Sequence, residues 1–151
     1  MIPMIPAVAT IAQTIQLSLG PVFMLAAIGQ LLNVLAGRLS RVIDRSRKLE
    51  DLHPRSSGPE RERYVMELKL LDRRMSIINA ALFLSVSSAI AVCTLIGLLF
   101  VAVLAGLHFG TIVAICFILA MVLLVASLIS FMIEVRVSLR AIHVREELLR
   151  P

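Results

Sequence analysis

The distribution of charge constrains this chain more than any other feature. Residues 1–37 contain no Lys, Arg, Asp or Glu, and neither do residues 75–133; the 15 basic and 10 acidic side chains all fall in 38–74 and 134–151. A soluble core does not sort charges this way, because each of its helices needs a polar face for water. A bilayer does, since an ionised side chain within hydrocarbon is costly. The hydrophobic content of 59% and the mean hydropathy of +0.95 agree, a soluble domain being about half apolar.

A hydrocarbon core of ~30 Å needs about 20 helical residues. The uncharged stretches divide into three spans on that basis: 21–37, 75–105 and 110–135, with residues 106–109 as a short connector. Residues 1–20 read as an extracytoplasmic lead-in, with a helical stretch over Thr10–Leu19 that is either interfacial or the first turns of span one, and without the basic n-region and small-residue cleavage site of a signal peptide. Gly20-Pro21 marks a kink or a fresh helix start, because proline lacks the N–H and fits a first turn. Orientation follows from the Lys/Arg bias. Residues 38–74 carry eleven basic side chains and 136–151 carry four, whereas the lead-in and the connector carry none. With three spans the two basic segments fall on one side, which sets the N-terminus outside and the C-terminus in the cytoplasm.

Residues 38–74 read as an antiparallel cytoplasmic hairpin. The run 53–59, with two prolines and a glycine, supplies the turn. Tyr64, Leu68, Leu71, Met75 and Ile78 recur at the 4-3 spacing of a coiled-coil seam, and Leu35, Leu39, Val42, Ser46 and Leu49 form a matching face. One register pairs Leu49 with Tyr64, Val42 with Leu71 and Leu39 with Met75. The tail 136–151 reads as a separate, shorter basic helix. The fold class is therefore all-α and transmembrane, with three spanning helices and a cytoplasmic hairpin.

The segments Gly20-Pro21-Val22-Phe23-Met24-Leu25, Ile28-Gly29-Gln30-Leu31-Leu32-Asn33-Val34-Leu35 and Gly37-Arg38-Leu39-Ser40-Arg41-Val42-Ile43-Asp44-Arg45 resemble a family of small bacterial membrane proteins known as domain of unknown function 2721. Arg73-Arg74 before span two and Glu134-Val135 closing span three resemble it as well. The run Arg38-x-x-Arg41-x-x-Asp44-Arg45 is the most specific part. The resemblance implies a multi-pass bacterial membrane protein and supplies no activity or site residue.

On a helix of 3.6 residues per turn, Gln16, Phe23, Gln30, Asn33, Gly37, Arg41, Asp44 and Lys48 share a face opposite the seam. Polar groups within a membrane need partners, and two arrangements would provide them. Several copies could surround a pore lined by Gln30 and Asn33, with a ring of Arg41 at the inner mouth offset in part by Asp44. Alternatively, Gln30 and Asn33 pack on Ser127 and Ser130 of span three, Gly37 allows close approach, and Glu134 pairs with Arg38 or Arg41. Ala81, Ser85, Ala89, Cys93 and Gly97 place a small residue at every fourth position of span two, a stripe that lets helices approach closely, either those of spans one and three or those of another protomer. A three-span monomer has little interior, so a homo-oligomer is expected.

Chemistry is sparsely represented. Every carboxylate lies at or beyond the inner boundary, the three histidines are scattered, and no His-x-x-x-His pair, nucleophile elbow or phosphate loop occurs. Ser85, Ser87 and Ser88 are expected to hydrogen-bond within their own helix. Cys93 and Cys116 read as buried structural thiols, without a disulfide and without metal-site spacing. An enzyme is not expected, nor a cofactor. With no Trp and one Tyr, the net charge of +5 lacks the aromatic platforms of a nucleic-acid binder, so the bilayer is the expected partner. The Arg41/Asp44/Arg45 run is either a topology anchor with pairs along its own helix or a contact for anionic lipid or a cytoplasmic protein. Two functions remain: an oligomeric channel or transport-type protein using the polar face of span one, or a non-catalytic scaffold or accessory subunit working through the basic hairpin.

Overall fold

The computed structural model describes residues 5–52, 58–106 and 110–147, with side chains over 11–51, 58–106 and 110–139. The chain forms three helices, α1 (Ile5–Leu52), α2 (Pro59–Ala105) and α3 (Gly110–Glu147). They contain 48, 47 and 38 residues, each well beyond the ~20 needed to cross a bilayer. All three are long and apolar enough to span a membrane. Only 17%, 17% and 11% of the most apolar window of α1, α2 and α3 is buried within the chain. Most of that apolar surface therefore needs lipid or another protein to cover it.

The helix ends follow local chemistry. Pro59 opens α2 at the position where a missing N–H leaves nothing unsatisfied, and Glu60 and Glu62 in the first turn complement the helix dipole. Gly58 precedes it at φ 71°, and its carbonyl accepts the Arg61 N–H at 3.1 Å. Gly106 closes α2 at φ 65°, a left-handed conformation that glycine adopts without penalty.

Two expectations about continuity need correction. Gly20-Pro21 is not a fresh helix start: Pro21 lies inside α1. Its ring removes one helical hydrogen bond, a loss the turns on either side span. The segment after residue 135 is not a separate helix but a continuation of α3. No glycine or proline separates Val135 from Glu147, so nothing breaks it. The turn proposed at 53–59 lies outside the described residues up to position 57, as do residues 107–109 of the connector.

The chain divides into two compact units, Met1–Leu31 with Leu84–Val125, and Leu32–Phe83 with Ala126–Pro151. In the first unit, α1 buries Thr14, Ser18, Pro21 and Ile28, α2 buries Ser85, Ser88, Val92 and Leu95, and α3 buries Ala120. Ser88 Oγ donates to the Ala120 carbonyl at 2.8 Å, so this serine bonds across helices rather than within its own. Thr94 and Ser18 do bond back, to the carbonyls of Ile90 and Ile15.

In the second unit, α1 buries Leu35, Val42, Ser46 and Leu49, α2 buries Leu71, Ile78 and Ala81, and α3 buries Ser127 and Glu134. Ser127 Oγ donates to the Ala81 carbonyl at 2.8 Å. Buried and half-buried positions on each helix alternate steps of four and three, for example Leu35, Leu39, Val42, Ser46 and Leu49 on α1. That 3.5-residue repeat keeps one stripe against its neighbours along a helix. The Arg74–Glu134 and Ala81–Ser127 contacts lie seven residues apart on both α2 and α3, so the two helices are antiparallel in this unit.

Candidate functional site

The second unit gathers the charges that border the uncharged stretches. Arg38 is the first charge after residues 1–37, Arg74 the last before residues 75–133, and Glu134 the first after them. The three meet. Arg38 Nη1 donates to Glu134 Oε2 at 2.6 Å, and Arg74 Nη2 donates to Oε1 at 2.9 Å. Glu134 is fully buried, while the Arg38 and Arg74 side chains are 33% and 19% exposed. One carboxylate thus ties α1, α2 and α3 together by charge-assisted hydrogen bonds, which are about twice as strong as neutral ones. The Arg38 guanidinium also lies 5.0 Å from the Phe131 ring centroid, within cation–π range. Arg74 Nε is buried with no hydrogen-bond partner.

Beside this cluster is an open pocket of about 340 Å³. Arg38, Arg41, Arg45 and Arg74 line it together with Ser138, over a floor of Val42 and Leu71. The helix period explains the convergence. Arg38, Arg41 and Arg45 follow one another at steps of three and four on α1, and so share a face. Arg45 is also held by Glu67 of α2, at 2.8 Å from Nη2, an exposed pair of small energetic weight. Neither Arg41 nor Asp44 forms an ion pair among the described residues; Arg45 turns to Glu67 of α2 instead of to Asp44. Among the described residues no three His, Cys, Asp or Glu side chains group as a metal site would require.

Of the polar face expected on α1, Arg41 lines this pocket; Gln30, Asn33, Gly37, Arg41 and Asp44 are all exposed. Ser127 donates to the Ala81 carbonyl and Ser130 to the Ala126 carbonyl of its own helix. The face lies two residues on from the buried positions Ile28, Leu35 and Val42, about 200° around the helix. Glu134 takes Arg38 and Arg74 as partners, and not Arg41.

Within the chain the small-residue stripe of α2 is only partly buried. Ala81 and Ser85 are buried and Ala89 is half-buried, but Cys93 and Gly97 are exposed. Spacing by four advances about 40° around the helix at each step, so the stripe drifts off the contact that Val92 and Leu95 continue. Cys93 is accordingly an exposed free thiol and Cys116 a half-buried one; neither is buried in the core.

Sequence reasoning missed Arg74 and the closing of the pocket by Ser138. The signal for Arg74 was its place as a boundary charge, matching Arg38 and Glu134. No curated protein and no solved structure matches the chain. The profile of a family described as "Protein of unknown function (DUF2721)" matches residues 18–144, a region that includes the arginine cluster, Glu134 and the apolar parts of all three helices. The chain belongs to the DUF2721 family.

Proposed function

We propose that the protein is a multi-pass membrane protein that works as a homo-oligomer of channel or transport type, without catalysis, with the polar face of α1 turned toward neighbouring copies. The observation that carries this reading is the exposure of Gln30 and Asn33 on a face opposite the one the chain buries. Within a bilayer an outward amide meets lipid at a cost. A second copy, or water held between copies, removes that cost. Arg41 and Asp44 would then stand near one mouth, where side-chain rings set selectivity. The Lys/Arg distribution supports a cytoplasmic location for that mouth, with the N-terminus outside.

The functional test uses purified protein in liposomes loaded with a fluorescent anion or cation reporter. Wild-type protein is expected to give flux. Gln30→Leu/Asn33→Leu should lower it at least tenfold, with an unchanged thermal midpoint. Absence of flux from wild-type liposomes, together with a monomer in nanodiscs, would sink the channel reading. The scaffold alternative draws on a different observation, the four-arginine pocket, and would then take its place.

Orientation is tested separately. With Cys93 and Cys116 replaced by Ala, Asp51→Cys is expected to resist a membrane-impermeant maleimide in intact cells and to react after permeabilisation. Labelling of Asp51→Cys in intact cells would reverse the proposed topology.

A further inference from the structure

We infer that the pocket of Arg38, Arg41, Arg45, Arg74 and Ser138 is a binding site for a phosphate-type anion, supplied by a phospholipid headgroup or by free phosphate. The inference rests on the membrane position of the chain but not on whether the chain conducts.

Charge is the first argument. Four guanidiniums line the pocket, and two carboxylates engage them: Glu134 holds Arg38 and Arg74, and Glu67 holds Arg45. Two positive charges remain uncompensated. Arg41 has no acidic partner among the described residues. A helical hairpin that only needed to be soluble would intersperse acids among these positions; here Asp44 stays outside the pocket.

Donor geometry is the second. Each guanidinium offers five N–H groups in a planar fork. Glu134 takes one N–H each from Arg38 and Arg74, which leaves most of this supply open. The Ser138 hydroxyl adds a neutral donor. Phosphate oxygens match guanidinium forks two at a time, which is why arginine is favoured over lysine at such sites. All four cations here are arginine, although lysine is present at Lys48 and Lys69 nearby in sequence.

Location is the third. Arg38 and Arg74 are the charges that border the uncharged stretches, so the pocket sits where the apolar parts of the helices end. Phospholipid phosphates occupy that level of a bilayer. A volume of about 340 Å³ also falls within the ~300–1,000 Å³ of small-ligand sites. Val42 and Leu71 offer the apolar floor that a glycerol or acyl segment would cover.

The test uses the full chain in detergent. Native mass spectrometry measures retention of dioleoyl phosphatidylglycerol, with dioleoyl phosphatidylcholine as the zwitterionic comparison, and thermal melting is followed with added inorganic phosphate. One anionic lipid per chain is expected to persist. Arg41→Gln/Arg45→Gln should weaken its retention by tenfold or more, the order expected when two basic residues near a phosphate surface are lost. Arg47→Gln/Arg73→Gln removes the same charge from exposed positions outside the pocket and should change retention less than threefold. Ser138→Asp, which leaves every arginine in place, should abolish retention by repulsion, and serves if the arginine variant does not fold. Retention of phosphatidylglycerol without a response to inorganic phosphate assigns the site to a headgroup. A melting response to millimolar phosphate that disappears in the Arg41→Gln/Arg45→Gln variant assigns it to the free anion. Equal weakening by the two double variants, or no response to either probe, would overturn the site.

Discussion

Replacing Glu134 with Gln is expected to destabilise the protein by about 3 kcal/mol, the scale of losing one member of a buried, hydrogen-bonded ion cluster. The size follows from what is left behind. Arg38 and Arg74 would keep their charges beside a neutral amide, and Arg74 already has one buried donor without a partner. The measurement is unfolding by sodium dodecyl sulfate in mixed micelles, followed by far-ultraviolet circular dichroism. Glu67→Gln is the comparison, because its pair with Arg45 has both side chains substantially exposed, 38% and 46%. That variant should lose about 0.5 kcal/mol or less. If the two carboxylates proved equivalent, Glu134 would not be what joins the three helices. Adding Arg74→Leu to Glu134→Gln should recover part of the loss, since an apolar replacement removes the stranded charge.

The second large effect is expected at Ala81. Its side chain is fully buried and its carbonyl accepts the Ser127 hydroxyl. Leu at this position would have to push α3 away, breaking that hydrogen bond and opening the surrounding contact. Overpacking of this kind costs about 1–3 kcal/mol, and the hydrogen bond adds roughly 0.6 kcal/mol. Gly97→Ala in the same helix provides the contrast. A methyl group there meets nothing within 4 Å, so stability should stay within about 0.5 kcal/mol of wild type. Comparable losses at 81 and 97 in a detergent-solubilised monomer would mean that the drift of the small-residue stripe has been misread.

These positions show what the sequence reveals and where it stops. The three apolar helices were legible because the bilayer imposes a coarse pattern, long runs without charge, that survives any detail of packing. The seam through Leu35, Val42, Leu49, Leu71 and Ile78 was legible for the same reason, since burial repeats at 3.5 residues. Arg38 and Glu134 could be matched by counting from the ends of parallel spans. Arg74 was signalled only by its place as a boundary charge, because it meets Glu134 across antiparallel helices whose register depends on side-chain contacts. Gln30 and Asn33 were set against Ser127 and Ser130 on depth alone. Depth says nothing about rotation, and both amides are exposed on α1. A run of small residues likewise suggests a contact, but a spacing of four carries it around the helix, and only the buried neighbours Val92 and Leu95 reveal where the contact goes.

The seven-residue step shared by α2 and α3 has a further consequence for error. A repeating seam permits two antiparallel helices to slide by one repeat and still bury apolar groups, and such slippage is the common failure of heptad pairing. Here neither neighbouring alignment is tolerable. Sliding α3 one way brings Glu134 opposite Ala81, a buried carboxylate facing a methyl group. Sliding it the other way brings Glu134 opposite Glu67, acid against acid, and leaves Arg74 facing the Ser127 hydroxyl. The single acidic residue in the buried stripe of α3 thus acts as a stop in both directions, and the native alignment is the one in which it meets Arg74.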